Sequence, residues 1–119
     1  MKAIGVDIIE VARVARTIER FGERYLNRVF TEQELAYCGG RLPSLAVRWA
    51  AKEAVGKAFG TGIGDVAFKE IEVVCDGRSK PSLRLHGAAQ TLARELGLEN
   101  IQVSLSHTRD YAVAFVIAA

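Results

Sequence analysis

The sequence is poor in the features that most quickly narrow a protein's class. Its only cysteines, Cys38 and Cys75, lie far apart and outside any C-x-x-C pattern. That spacing argues against a structural zinc site and suggests no disulfide framework, so two buried free thiols are expected. No apolar run approaches the ~20 residues needed to span a bilayer, and no membrane partner is expected. The chain opens directly into a strand-like run without a charged-then-apolar signal, which predicts a soluble cytoplasmic protein. The net charge of +2 is far from the footprint of a dedicated nucleic-acid binder, and no nucleic-acid partner is expected. There are no repeats, low-complexity stretches or linkers. What is present is one domain's worth of chain, residues 1–119, half of it hydrophobic and a quarter charged. That composition supports a real core and excludes disorder.

Most of the chain is periodic. Lys2 to Ile9 alternates, with Ile4, Val6 and Ile8 on one face and Ala3, Gly5, Asp7 and Ile9 on the other, which predicts a strand. The bulky face is expected to form core and the small face to present Asp7. From Glu10 to about Tyr25 the spacing is helical. Val11, Val14, Ile18 and Phe21 form an apolar stripe, and Arg13, Arg16, Arg20 and Arg24 a basic one on a different side. Thr31 with Glu34 reads as a capping box opening a short helix that ends at Gly39-Gly40. A long helix opens at Leu42-Pro43-Ser44 and runs to about Phe59, followed by a flexible loop with Gly60, Gly62 and Gly64. Phe68–Cys75 and Pro81–Leu85 read as a hairpin around Asp76-Gly77. Gly87–Leu96 is a helix stopped by Gly97, and Ile101–His107 and Tyr111–Ile117 form a second hairpin. The order β-α-α-α-β-β-α-β-β predicts an α+β single domain, a largely antiparallel sheet packed with helices.

The segment Arg48–Gly62 is the most unusual. It is a nearly all-apolar helix that nevertheless carries Arg48, Lys52, Glu53 and Lys57. A buried helix avoids charge unless the charge is paired or used. Spacing alone leaves two readings of each charged group. Asp7 and Glu53 are either two carboxylates for magnesium, which rarely takes an all-protein cage, or a helix cap and an intrahelical ion pair with Lys57. Lys52 and Lys57 with Gly60-Thr61-Gly62 are either a phosphate cradle or a helix stop with solvated lysines. This is not a Walker loop, because no lysine follows the last glycine and the loop comes after a helix. The arginines are either a solvated face balanced by Glu19 and Glu23 or a docking face for an acidic partner, weakening as salt rises. His107 ends a strand beside Val103 and Leu105, and no Ser-His-Asp or Cys-His set is evident. His86 precedes a helix and is expected to cap or pack.

Four stretches taken together resemble a known family. They are Gly5-Val6-Asp7-Ile8-Ile9-Glu10-Val11, Phe30-Thr31 with Glu34-Leu35, Arg48 to Gly64, and Val103-Ser104-Leu105-Ser106-His107-Thr108. In order and overall length the chain is similar to the holo-acyl-carrier-protein synthases, the short bacterial-type 4′-phosphopantetheinyl transferases. The resemblance implies that fold, and transfer of the 4′-phosphopantetheine arm of coenzyme A to a serine of apo-acyl carrier protein. The other product would be adenosine 3′,5′-bisphosphate, and the pathway served fatty acid biosynthesis. It further implies that Asp7 and Glu53 bind Mg2+ and that Lys57 stabilises or protonates the departing phosphate. Lys57, Gly60, Thr61, Gly62, Ile63 and His107 would lie against coenzyme A, while Arg13, Arg16, Arg20 and Arg24 meet the acidic carrier. The assembly implied is a homotrimer with sites between subunits.

Where some relatives carry an acid after the Glu-Leu pair, this chain has Ala36, so the proton acceptor stays open between water and a carboxylate, with Glu34 a weak substitute. Two alternatives also stay open: a non-catalytic module binding an acidic protein or RNA, and the same chemistry on a polyketide or peptide carrier. Carboxylates near a phosphate site argue against a pure anion binder, and the absence of interleaved aromatics argues against RNA.

Overall fold

A computed structural model describes residues 2–119. The chain runs β1 (Ala3–Glu10), α1 (Val11–Phe21), α2 (Glu23–Val29), α3 (Glu32–Cys38), α4 (Leu42–Phe59), a 3-10 turn (Phe68–Glu70), β2 (Ile71–Cys75), β3 (Pro81–Leu85), α5 (Gly87–Leu96), β4 (Ile101–His107) and β5 (Tyr111–Ala118). β1, β5 and β4 form an antiparallel sheet in that spatial order, and β2–β3 is a separate hairpin. The α+β architecture and its antiparallel pairing are as expected. Helix α4 lies across the inner face of β1 and β5 as the central rod.

Three expectations need correction. The first concerns β1. Its bulky face is outside: Ile4, Val6 and Ile8 are 67%, 51% and 64% exposed. The small face turns inward because α4 comes too close for larger side chains. A Cβ on Gly5 would stand 2.9 Å from the Ala58 nitrogen and would collide with the Ala54 carbonyl. Small residues answer it on both partners: Ala50, Ala51, Ala54 and Ala58 on α4, Ala112, Ala114 and Ala118 on β5, all buried. Backbone-to-backbone packing, not bulk, decides which face is core.

The second concerns the run from Glu10 to Tyr25, which is two helices. Gly22 has φ 57°, a left-handed conformation that glycine adopts without a Cβ penalty, and it breaks the helix between Phe21 and Glu23. Arg24 therefore sits on α2, apart from Arg13, Arg16 and Arg20 on α1. The third is smaller: Phe68–Glu70 forms a 3-10 turn, and strand β2 begins only at Ile71.

The predicted capping box at Thr31 is present. Thr31 Oγ1 accepts from the Glu34 N–H at 3.1 Å, and Glu34 Oε1 accepts from the Thr31 N–H at 2.9 Å. Glu34 does more than cap. It is 1% exposed, accepts from the Val73 N–H at 3.0 Å, and pairs with Lys52 at 2.8 Å. Lys52 is fully buried and also donates to the Phe68 and Ile71 carbonyls at 3.0 and 2.6 Å. Burial pushes its ammonium below the usual lysine value, against the pull of Glu34. A single buried pair thus ties α3, α4, the 3-10 turn and β2 together.

Candidate active site

Asp7 sits on the inward face of β1, directly over the last turns of α4. Its Oδ1 accepts from Lys57 Nζ at 2.9 Å, and the same ammonium donates to the Val6 carbonyl at 3.0 Å. Asp7 Oδ2 is buried and has no hydrogen-bond partner. Glu53 lies one turn before Lys57 and makes no hydrogen bond or ion pair among the described residues. Burial and then the nearby Asp7 carboxylate raise its carboxyl above the usual value, opposed by Lys57 and Arg13. Asp7, Glu53 and Lys57 therefore form one electrostatic cluster. The one-turn Glu53–Lys57 ion pair does not form, because Lys57 reaches across to the strand instead. Nor does Asp7 cap α1, whose N-cap is Glu10 without a side-chain bond.

The glycine loop folds back beside this cluster. Gly60 ends α4 in a left-handed conformation, φ 79°, and the Gly62 N–H donates to the Gly56 carbonyl at 3.0 Å. The return is possible because position 56 lacks a side chain: a Cβ there would stand 2.9 Å from the Gly62 carbonyl carbon and 3.1 Å from the Ile63 nitrogen. Thr61 is exposed and Ile63 half-buried on this loop, next to Lys57 at the helix end.

Lys52 does not face the loop, which corrects its candidacy for phosphate, and Arg48 is likewise engaged elsewhere. Lys52 is spent on Glu34 and two carbonyls, as described above. Arg48 is buried, donates to the Ser44 carbonyl at 3.0 Å and to Cys75 Sγ at 3.2 Å, and stacks on the Tyr37 ring. Glu34, held by three donors, has no freedom to act as a base. His86 contacts Glu72 at 3.1 Å, and Thr31 Oγ1 donates to the same carboxylate at 2.7 Å. Burial opposes ionisation of Glu72, but these two bonds win and hold its carboxyl below the usual value. Cys38 is buried as expected, whereas Cys75 is only half-buried.

His107 is exposed at the end of β4, opposite Ala112, which itself opposes Ile9 across β5. One chain therefore does not bring His107 into hydrogen-bonding contact with the acid pair. Arg13, Arg16, Arg20 and Arg24 are all exposed. Beside them lies a feature missed in the sequence, an apolar cleft of about 320 Å³ bordered by Phe21, Tyr25, Trp49, Phe68, Arg24 and Arg28. Phe21 ends α1 and Tyr25 lies on α2, so the cleft forms where Gly22 turns the chain between two helices, which a single-helix reading could not show.

Strand aspartate, helix glutamate, lysine and glycine loop thus lie together at the end of α4. The sequence profile of the 4′-phosphopantetheinyl transferase superfamily matches residues 3–116, and the chain belongs to this superfamily. It is 49% identical to the holo-[acyl-carrier-protein] synthase of Herpetosiphon aurantiacus, over 98% of each chain. Among solved structures it is similar to the Neisseria meningitidis holo-[acyl-carrier-protein] synthase, with TM-score 0.90 and 36% identity, covering 98% of this chain and 97% of the other. The Helicobacter pylori holo-[acyl-carrier-protein] synthase in complex with coenzyme A also superposes with TM-score 0.90, at 28% identity, over 98% of this chain and 99% of that one.

Proposed function

We propose that this protein transfers the 4′-phosphopantetheine arm of coenzyme A to a serine of apo-acyl carrier protein and releases adenosine 3′,5′-bisphosphate. The observation that carries the reading is the juxtaposition of Asp7, Glu53 and Lys57 beside the Gly60–Gly64 loop, in a chain nearly half identical to a named holo-[acyl-carrier-protein] synthase.

Magnesium fits the acid pair. Asp7 Oδ2 is a buried acceptor with no partner, and Glu53 is disfavoured as an anion by burial and by Asp7, so a divalent cation would satisfy both. No cluster of three or more His, Cys, Asp or Glu side chains able to hold a metal occurs among the described residues. The remaining ligands would be pyrophosphate oxygens and water, as magnesium prefers. Bound there, the ion would screen the negative pyrophosphate and stabilise the leaving group.

The rest is positioning. The carrier's serine oxygen forms a bond to the phosphorus that bears pantetheine, the bond from that phosphorus to the bridging oxygen breaks, and the serine proton is lost. Lys57, at the mouth of the site, donates to the departing phosphate, and loop amides orient it. Ala36 carries no carboxyl and Glu34 is locked, which leaves Glu53 and solvent as proton acceptors. The exposed arginines and the adjoining cleft form the docking face, where cations meet an acidic helix and the cleft takes an apolar side chain.

A homotrimer with sites between subunits completes this reading. The outer sheet face exposes Tyr111, Phe115 and Ile117 beside Ile4, Val6 and Ile8, a contiguous apolar patch of the kind that marks an interface. Light scattering should give about 39 kDa, three chains of 13.0 kDa each. No helix among the described residues is long and apolar enough to cross a membrane, and the setting proposed is the cytoplasm.

The direct test incubates the protein with apo-acyl carrier protein, coenzyme A and magnesium, then weighs the carrier by mass spectrometry. The expected product gains one phosphopantetheine. Asp7→Ala and Glu53→Ala should fold yet leave the carrier unmodified. No mass gain with wild-type protein would refute the function, and near-normal turnover of either variant at low magnesium would refute the metal assignment.

A further inference from the structure

Lys57 is bonded to one member of the acid pair, Asp7. Its ammonium bonds Asp7 Oδ1 at 2.9 Å and the Val6 carbonyl at 3.0 Å, joining residues 50 positions apart instead of its helical neighbour Glu53. The strand carbonyl fixes the ammonium against the carboxylate from a second direction. Asp7 is 12% exposed at its side chain and Lys57 54%, so the acid is held in place while the cation has an open path away.

We propose that Lys57 is the resident counterion of Asp7, opposing divalent-cation binding until a pyrophosphate draws the ammonium off. This rests on the transfer function proposed above and adds a coupling between the two ligands of its site. An ammonium and a doubly charged cation on one carboxylate repel each other. At about 5 Å in a water-like medium, fitting the exposure of Lys57, the repulsion corresponds to roughly tenfold in affinity. A pyrophosphate offers the ammonium new acceptors and offers the metal its missing oxygens. Metal and pyrophosphate therefore bind cooperatively, each tightening the other by the same factor. The free enzyme therefore holds the metal weakly and the pyrophosphate-bound enzyme holds it more tightly.

The test measures Mn2+ binding to the coenzyme A-free protein by electron paramagnetic resonance, with Mg2+ in competition, at fixed ionic strength. Lys57→Gln should bind several-fold to about tenfold more tightly than wild type, and its coupling to coenzyme A should shrink. Lys57→Arg, which keeps a cation on Asp7, should stay near wild type. Arg13→Gln is the charge control: Arg13 acts on Glu53 through space without bonding Asp7. It should gain less. Unchanged or weaker binding by Lys57→Gln, or an equal gain in Arg13→Gln, overturns the inference. If wild-type protein meanwhile modifies the carrier, only this inference falls; if it does not, the functional reading falls and takes this inference with it.

Discussion

Replacing Lys52 by methionine tests the central structural claim, that a charge inside α4 serves the fold and not the ligand. The methionine side chain keeps most of the stem and removes the ammonium. Three bonds are lost, to Glu34 Oε1 at 2.8 Å, the Phe68 carbonyl at 3.0 Å and the Ile71 carbonyl at 2.6 Å. Glu34 is left as a carboxylate 1% exposed, with only backbone N–H donors. Breaking one side of a buried pair costs about 3–5 kcal/mol, a large part of the total stability of an ordinary domain. For 119 residues the unfolding entropy is about 250 cal/mol/K, so Tm should fall by roughly 12–20 °C. Scanning calorimetry or thermal circular dichroism reads this directly. Adding Glu34→Gln removes the stranded charge and should restore at least about 1 kcal/mol of the loss, a positive coupling in a double-mutant cycle. A loss under about 1 kcal/mol in the single variant, or strictly additive losses in the double, would refute a working buried pair.

Four further outcomes are expected. Gly5→Ala drives a Cβ into the Ala54 carbonyl, so β1 must lift from α4; denaturant titration should show a loss of about 1–3 kcal/mol, and carrier modification should slow because Asp7 moves with the strand. Glu53 holds its proton more tightly folded than unfolded, so its contribution is complete below the ordinary carboxyl value and lost as pH rises through the folded one. Glu53→Gln should therefore raise Tm at about pH 7, with the gain vanishing near pH 4. Tyr25 is pushed up to about 12 by burial, against the pull of Arg13, so stability should fall between roughly pH 10 and 12, and Tyr25→Phe should flatten that fall in urea titrations. Arg13→Glu or Arg20→Glu should weaken carrier-protein binding, more at low salt than at high, and calorimetric affinities at two ionic strengths check it.

The helices were legible where local chemistry sets their ends. Thr31 with Glu34, Gly39, Gly60 and Gly97 mark boundaries that the structure keeps, because capping and left-handed turns are satisfied within a few residues. Gly22 was the exception. An isolated glycine inside a continuing apolar period gives no local sign of whether its φ will turn positive. Asp7 and Glu53 were legible in the sequence as two carboxylates suited to one cation, beside the alternative of a helix cap and an intrahelical ion pair, but their geometry was not, since nothing nearby in sequence reports which strand lies over α4. Lys57 shows the limit most clearly. One-turn spacing favoured Glu53, and the folded strand offered a better partner in Asp7 and a carbonyl beside it.

Sequence alone determined the class of the chain: one α+β domain, four of its five α-helices and both hairpins, and the residue types of a phosphate site with a candidate metal pair. The elements follow from periodicity, caps and turns, which act over a few residues; the phosphate and metal roles of those residue types belong to the function proposed above. Tertiary structure alone decided which face of β1 is core, which of four charges in α4 are structural, and that Lys57 lies on Asp7. Those outcomes depend on how closely two backbones approach, as Gly5 against Ala54 and Gly56 against the Gly62–Ile63 loop show. Burial and partner choice are properties of that approach, and no spacing along the chain encodes it.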